Sequence, residues 1–380
     1  MRVGYSGFHH PGLKAVQVDS DVEYINCDKK NVYFYTDILS RRKTFLFKPL
    51  TVFPDGEVDI YHLFNQVALT DRKWLVTFDS LLAQVISPGD EYKSVAEPTK
   101  ILSALAGENC VALIALSNAA YYVERKLLSR MPQFSATLLH KMQVIPPPQP
   151  LYVQNRRKRL DQLPVHFVFV AGEFYRQGGA ETVLAFEQLL TDGMIAASQV
   201  RVRLVGDLTH RHNDALGAHQ DSAAFFQATE MAIARHSVFE HLTSMSQDQL
   251  RLLFQHADVG LLPSWAEAYG FSVLEMQSCG CPVITSNVRA LAEINPPDVG
   301  WQIVQQLNDD LELPVLSSVD RDKLRQQRVD RLKILILDII THPLQITVKA
   351  NAAVNRIRTE HDPQTHHQKL LHIYNRPHRL

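Results

Sequence analysis

The sequence predicts an α/β protein made of two Rossmann-like domains. Three observations lead there. The 380 residues exceed one ordinary core, which favours two domains of about 150–200 residues. Short apolar, β-branched runs alternate with helix-periodic stretches, the pattern of right-handed βαβ units on a parallel sheet. Between the two halves lies PPPQPLYVQNRRKRLDQLP, residues 146–164, which can continue neither a helix nor a central strand.

The elements follow in order. A first strand is expected to end in the loop Gly4–Gly12. YHLFNQVAL (61–69) and WLVTFD (74–79) read as strand or helix pieces of an α/β unit. CVALIALS (110–117) is a buried strand, 119–130 a helix, and MQVIPPP (142–148) the last strand of the half. Beyond the proline-rich linker, HFVFVAG (166–172) is a strand ending in Gly. Residues 179–191 place Val183, Leu184, Phe186, Leu189 and Leu190 on one broad helical face. RVRLVGD (201–207) and SVFEHL (237–242) are strands around a helix-compatible stretch, 224–235. Ser246-Gln-Asp-Gln249 is a capping box, followed by Leu250, Leu253, Phe254 and Ala257 at helical spacing. VGLLP (259–263) is a short buried strand, 271–279 a helix and PVITS (282–286) another strand. After residue 320 the chain is helical, and KILILDII fits a helix better than a buried strand. The expected division is 1–145, a linker 146–164, 165–340, and a helical tail 341–380 packing across both domains.

Composition narrows the function. With 46% hydrophobic and 21% charged residues and a net charge of −1, the chain is globular and not tuned as a whole to nucleic acid. Four cysteines without metal-ligand spacing predict reduced thiols and no zinc site. The N-terminus has no signal-peptide pattern and no run of 18 apolar residues exists, so a cytoplasmic protein is expected, at most peripheral to the inner face of a membrane. The basic cluster Arg156–Arg159 reads as a solvated surface, with an acidic membrane surface or a substrate as the alternative. His9 and His10 are adjacent, so in a strand they would point to opposite faces and make poor metal partners. Asp19-Ser20-Asp21 is the one early D-x-D, but no buried strand leads into it, and no metal is expected.

The chemistry concentrates in PSWAEAYGFSVLEMQSCGCPVITS, residues 263–286. A strand delivers the chain to a turn holding Glu267; Gly270 permits positive φ; a helix then begins near Phe271 and Ser272. The amides opening that helix form an anion site suited to a diphosphate. Glu275, on its first turns, can accept two hydrogen bonds from a vicinal diol such as a ribose.

This segment resembles the nucleotide-sugar signature of glycosyltransferase family 4, retaining enzymes of the two-Rossmann GT-B fold. The matching residues are Pro263-Ser264, Glu267-Ala268-Tyr269-Gly270, Leu274-Glu275, Cys279-Gly280 and Pro282-Val283-Ile284, with Tyr269 where the family has Phe. FVAGEFYRQGGAETVLAFEQL resembles the family's first strand, phosphate loop and helix of the donor domain. The resemblance implies two domains facing a cleft, with C-terminal helices crossing back to the first. It implies that Glu267 contacts the donor sugar and Glu275 holds the ribose, that backbone donors at Gly270, Phe271 and Ser272 meet the phosphates, and that Gln177 and Tyr269 belong to the same nucleotide-sugar site. The acceptor would be a carbohydrate or a lipid-linked carbohydrate, in surface polysaccharide or glycoconjugate assembly, with no cofactor beyond the nucleotide sugar.

Two departures matter. The family's phosphate-loop Lys is here Gln177, and the Arg often found five residues earlier is Gly172; Arg176 is the adjacent cation that could bind the diphosphate. The family's His at the end of an N-terminal strand is replaced by Asp79, which suits a sugar hydroxyl, a proton acceptor or a helix N-cap equally. A glycoside hydrolase also uses two carboxylates, but a phosphate cradle does nothing for that reaction. A glycosyltransferase-fold protein that binds nucleotide or a partner without turnover is the alternative that Gln177 keeps open.

Overall fold

The structure is a computed structural model that describes residues 1–8, 22–34, 45–50, 58–82, 98–155 and 163–375. Two compact units emerge: Met1–Pro148 with His361–Leu380, and Gln149–Glu360.

The first unit is built on six parallel strands: β1 (Arg2–Ser6), β2 (Glu23–Asn26), β4 (Ile60–Phe64), β6 (Trp74–Phe78), β7 (Cys110–Ala115) and β8 (Met142–Val144). Their order is β2-β1-β4-β6-β7-β8, while β3 (Leu46–Phe47) and β5 (Val67–Ala68) form a separate parallel pair. Both ambiguous pieces, 61–69 and 74–79, begin as strands. All five side chains of β6 are buried, as a parallel strand covered on both faces requires. Helices α1 (Pro98–Ala106), α2 (Asn118–Leu128) and α3 (Pro132–Lys141) belong to this unit. The last strand stops at Val144, where the prolines begin.

The second unit carries β9 (Val165–Val170), β10 (Val200–Val205), β11 (Phe239–Leu242), β12 (Val259–Leu262), β13 (Val283–Ser286) and β14 (Trp301–Ile303), all parallel, in the order β11-β10-β9-β12-β13-β14. The chain winds outward from β9 to β11 and then starts again on the other side of β9 with β12. In doubly wound sheets the crevice for ligands lies beyond the carboxyl ends of the strands at that reversal.

Helices α4 (Gly179–Thr191), α5 (Ala223–Arg235), α6 (Gln247–His256), α7 (Phe271–Ser278) and the short α8 (Leu291–Ile294) connect the strands. The capping box that opens α6 is formed: Ser246 Oγ accepts the Gln249 N–H, and Gln249 Oε1 accepts the Ser246 N–H. KILILDII is helical, inside α9 (Ser318–Thr341), which packs on α4 and buries Leu332, Ile336 and Ile339 in the core with Phe167 and Phe186.

The tail divides. Helix α10 (Leu344–Glu360) packs on α7 in the second unit, whereas α11 (Pro363–Tyr374) belongs to the first. There His62 Nδ1 lies 2.8 Å from Tyr374 Oη and its Nε2 2.7 Å from Thr77 Oγ1, pinning α11 to the sheet. His361 and His366 donate from Nδ1 to the carbonyls of Pro147 and Pro146, at 2.8 and 2.9 Å. The described part of the expected linker is therefore anchored: Pro146 to α11, Pro147 to His361 just ahead of that helix, and Tyr152 by its N–H to Ser278 O. His9, His10, Asp19–Asp21 and Arg156–Arg159 lie outside the described residues.

No described helix is long and apolar enough to cross a membrane. Among the described residues no cluster of three His, Cys, Asp or Glu side chains could hold a metal ion. All four cysteine side chains are buried.

Candidate functional site

At the reversal between β9 and β12, two loops leave adjacent strands and each runs into a helix. The loop after β9 spans residues 171–178 and opens α4; the one after β12 spans 263–270 and opens α7. Each helix begins at a glycine with left-handed backbone, Gly178 at φ 89° and Gly270 at φ 98°. A Cβ on Gly178 would stand 2.2 Å from Pro263 O, and one on Gly270 2.6 Å from Leu291 Cδ2. The first glycine therefore also lets the two loops touch.

Both helices point their first-turn amides and positive dipole ends beyond the carboxyl ends of the strands, a favourable place for phosphate oxygens. The amides of Phe271 and Ser272 open α7, ahead of the Val273 N–H that bonds Gly270 O at 2.9 Å. Between the loops, Gln177 Nε2 donates to Glu267 Oε2 at 2.8 Å. Gln177 Oε1 accepts the Glu173 N–H at 3.1 Å, so both ends of this amide are committed to shaping the loops. Arg176 donates from Nη1 to Glu173 Oε2 at 2.6 Å and is about a fifth exposed, while its carbonyl accepts the Trp265 N–H at 2.9 Å.

Glu275 sits one turn into α7, half-buried. Burial pushes its carboxyl up to about 7, and the nearby Arg251 cation opposes that rise. Tyr269 is placed otherwise than expected. Its side chain is buried at 1% exposure, its ring lies 5.0 Å from that of Phe271, and burial drives its hydroxyl well above the usual range. Its ring packs inside the unit and anchors the turn.

In the first unit, Asp79 follows β6 and exchanges hydrogen bonds with Asn65, which follows β4. Asn65 Nδ2 donates to Asp79 Oδ1 at 3.1 Å, and the Asp79 N–H donates to Asn65 Oδ1 at 3.3 Å. Asn65 has φ 52°, a conformation Asn tolerates better than most residues. The side-chain bond fixes Asp79, and no sequence signal marks Asn65 as its partner. Equally hidden are Glu181, Arg325 and Arg328, buried charges of the second unit that surround Trp265. A cavity of about 380 Å³ lies toward the amino ends of β9–β11, lined by residues that include His166, Arg203, Glu240 and His256; none of the expected site residues lines it.

Comparison with known proteins bears on the family and the fold. Residues 154–331, just under half of the chain, match the family model described as glycosyl transferases group 1. Similar curated proteins include the D-inositol 3-phosphate glycosyltransferase of Rhodococcus opacus, 32% identical over 95 residues, covering 25% of this chain and 20% of that protein. The O-antigen chain mannosyltransferase B of Escherichia coli is 33% identical over 87 residues, 20% of this chain and 23% of the relative. The matched stretch thus spans about a fifth of the length of these relatives.

Among solved structures, Anabaena HepE in complex with UDP and glucose superposes with a TM-score of 0.58 at 14% identity, over 98% of both chains. WaaG, a glycosyltransferase involved in lipopolysaccharide biosynthesis, gives 0.57 at 15% identity over 99% of this chain and 100% of its own. The chain therefore has the two-Rossmann GT-B fold, and its residues 154–331 match the family model of glycosyl transferases group 1.

Proposed function

We propose that the protein is a glycosyltransferase that takes its sugar from a nucleoside diphosphate sugar held in the second unit at the β9–β12 reversal. The observation that carries this reading is the Gln177–Glu267 hydrogen bond, which closes two glycine-opened helix starts around one anion-binding corner. The diphosphate lies against the opening amides of α7 and α4. Glu275 accepts the ribose hydroxyls, and Glu267 meets the sugar. That HepE was solved with UDP and glucose supports a nucleoside diphosphate in this fold.

In the reaction the bond from the anomeric carbon to the β-phosphate oxygen breaks and a bond from that carbon to the acceptor oxygen forms. The departing diphosphate carries the electron pair, stabilised by the helix ends and by Arg176. The proton of the acceptor hydroxyl is assigned to Asp79, which its bond from Asn65 keeps oriented. Retention of configuration and freedom from metal are part of this reading. The first comes from the family resemblance; the second rests on the helix dipoles supplying the positive field. A carbohydrate or lipid-linked acceptor in polysaccharide or glycoconjugate assembly, reached from the cytoplasm, completes it.

Gln177 is spent on Glu267 and Glu173, and Arg176 is paired with Glu173, so the phosphate loop offers less positive charge than a Lys in that place would. That observation favours, as the second reading, a protein that binds the nucleotide without turnover. A calorimetric screen of nucleoside diphosphates and their sugar conjugates tests both. Binding with acceptor-dependent release of nucleoside diphosphate supports the transferase, binding without release the second reading. No binding of any nucleotide contradicts both.

A further inference from the structure

The turn carrying Glu267 is braced from a direction its own motif does not announce. Trp265, two residues earlier, is buried, and its indole N–H donates to Glu181 Oε1 at 2.9 Å. Glu181 lies in the first turn of α4 and is itself 1% exposed. The same Oε1 accepts Arg325 Nε at 2.9 Å, from α9. Arg325 Nη2 reaches both oxygens of Asp221, at 2.8 and 2.7 Å. Its guanidinium lies 4.1 Å from the Phe225 ring centre and 5.4 Å from that of Trp265. Arg328, fully buried, has its guanidinium 4.2 Å from the Trp265 ring centre and is held by Gln305 Oε1 at 3.0 and 3.2 Å.

Two guanidinium groups thus share the neighbourhood of two carboxylates and two aromatic rings. Burying such charges costs several kcal/mol per ion before pairing, and apolar residues of equal volume would hold a tryptophan at least as firmly. What apolar packing would not supply is a single orientation. The indole N–H can satisfy its hydrogen bond only where Glu181 stands, and Arg325 fixes Glu181. The Trp265 backbone N–H on Arg176 O and the Glu267 carboxylate on Gln177 then set the rest of the turn.

We propose that Trp265, Glu181 and Arg325 are positioning residues that hold the Glu267 carboxylate in register with the phosphate loop, so that it meets the donor sugar. The inference rests on the reading of Glu267 as the sugar-contacting group of a nucleoside diphosphate sugar site. It assigns to helix α9 a part in donor recognition through residues that touch no ligand.

Trp265→Phe removes the indole N–H and keeps an aromatic ring. Hydrogen exchange in the full chain should quicken by about tenfold or more at the amides of 264–268 while those of β10 hold, since a buried bond to a charged partner is lost. Calorimetry with UDP and GDP, each beside its glucose or mannose conjugate, provides the second readout. Trp265→Phe is expected to bind the diphosphate as the parent does and to bind the conjugate about tenfold more weakly. The double variant Trp265→Phe/Glu267→Gln should be no weaker than Glu267→Gln alone, because both act on one carboxylate. Arg325→Lys, which keeps the charge and loses the fork, should reproduce the pattern at smaller size, and serves if Trp265→Phe fails to fold. Unchanged exchange at 264–268, or equal losses for diphosphate and conjugate, overturns the proposal. A parent that binds neither UDP nor GDP overturns instead the reading of Glu267, while the exchange result still decides whether this network holds the turn.

Discussion

Burial has raised the Glu275 carboxyl from 4.5 to about 7, so this side chain changes charge across the neutral range. If it holds a ribose as a two-bond acceptor, only the carboxylate serves fully. Nucleotide affinity is therefore expected to fall as pH drops from 8 through 7 to 6, and Glu275→Gln should flatten that slope, both measured by calorimetry. The sign for stability is opposite. A carboxyl whose folded value lies above its unfolded value costs the protein stability where it is charged, above pH 7, and the cost disappears as pH falls toward 4.5. Glu275→Gln should accordingly raise the melting temperature at pH 8 while weakening nucleotide binding, a trade-off common at functional sites. Asp79 is tested separately: Asp79→Asn should lower turnover about 100-fold, the size of a lost general base, and leave nucleoside diphosphate affinity as it is. The expectations at 263–286 were legible because one short segment holds strand, turn, glycine and helix start. Tyr269 was not, since neighbouring residues in a tight turn point to different sides and only packing decides which is buried. The partnerships of Gln177 with Glu267 and of Asn65 with Asp79 also escape a linear reading, joining residues that only strand order brings together.

At the scale of elements, the structure turns on how strands hand over to helices. The left-handed Gly178 both opens α4 and lies against Pro263 O, where a Cβ would meet backbone that cannot yield. Gly178→Ala should therefore cost about 3 kcal/mol or more in a denaturant melt, combining an unfavourable φ with a backbone clash. In the same unit, Ser246→Ala removes an exposed capping box and should cost only about 1 kcal/mol. A larger effect of the exposed cap than of the buried glycine would contradict the placement of the two loops. The alternation from β9 to β13 could be read directly because β9, β10 and β12 are apolar runs closed by Gly or Pro and each helix between them has a cap or a periodic face. Several elements could not. Strand β14 has three residues and α8 four, too short for any period to register. Helix α3 has only Leu138 fully buried, so its apolar face is thin.

For the whole molecule, two units with separate cores should respond differently to acid. His62 and His366, both of the first unit, are held neutral by burial, pushed down to about 3 and about 4. A histidine depressed below its unfolded value of 6.5 destabilises the native state progressively as pH falls from 6.5 toward the folded value. Glu124, which burial raises to about 7 against the pull of the Leu82 N–H, opposes them between pH 7 and 4.5. Hydrogen exchange at pH 5 against pH 7.5 should thus show β4 and β6 losing protection relative to β9 and β12. His62→Gln should reduce the difference and Glu124→Gln enlarge it. Docking of α11 through His62, His361 and His366 would be the first contact released.

The central claim is the place of the diphosphate, and a crystal structure with bound nucleoside diphosphate tests it most directly. The account predicts phosphate oxygens within hydrogen-bond reach of the Phe271 and Ser272 amides, with a ribose hydroxyl on Glu275. Phosphates seated instead in the cavity beside His166 and Arg203, or anywhere away from the start of α7, would contradict it.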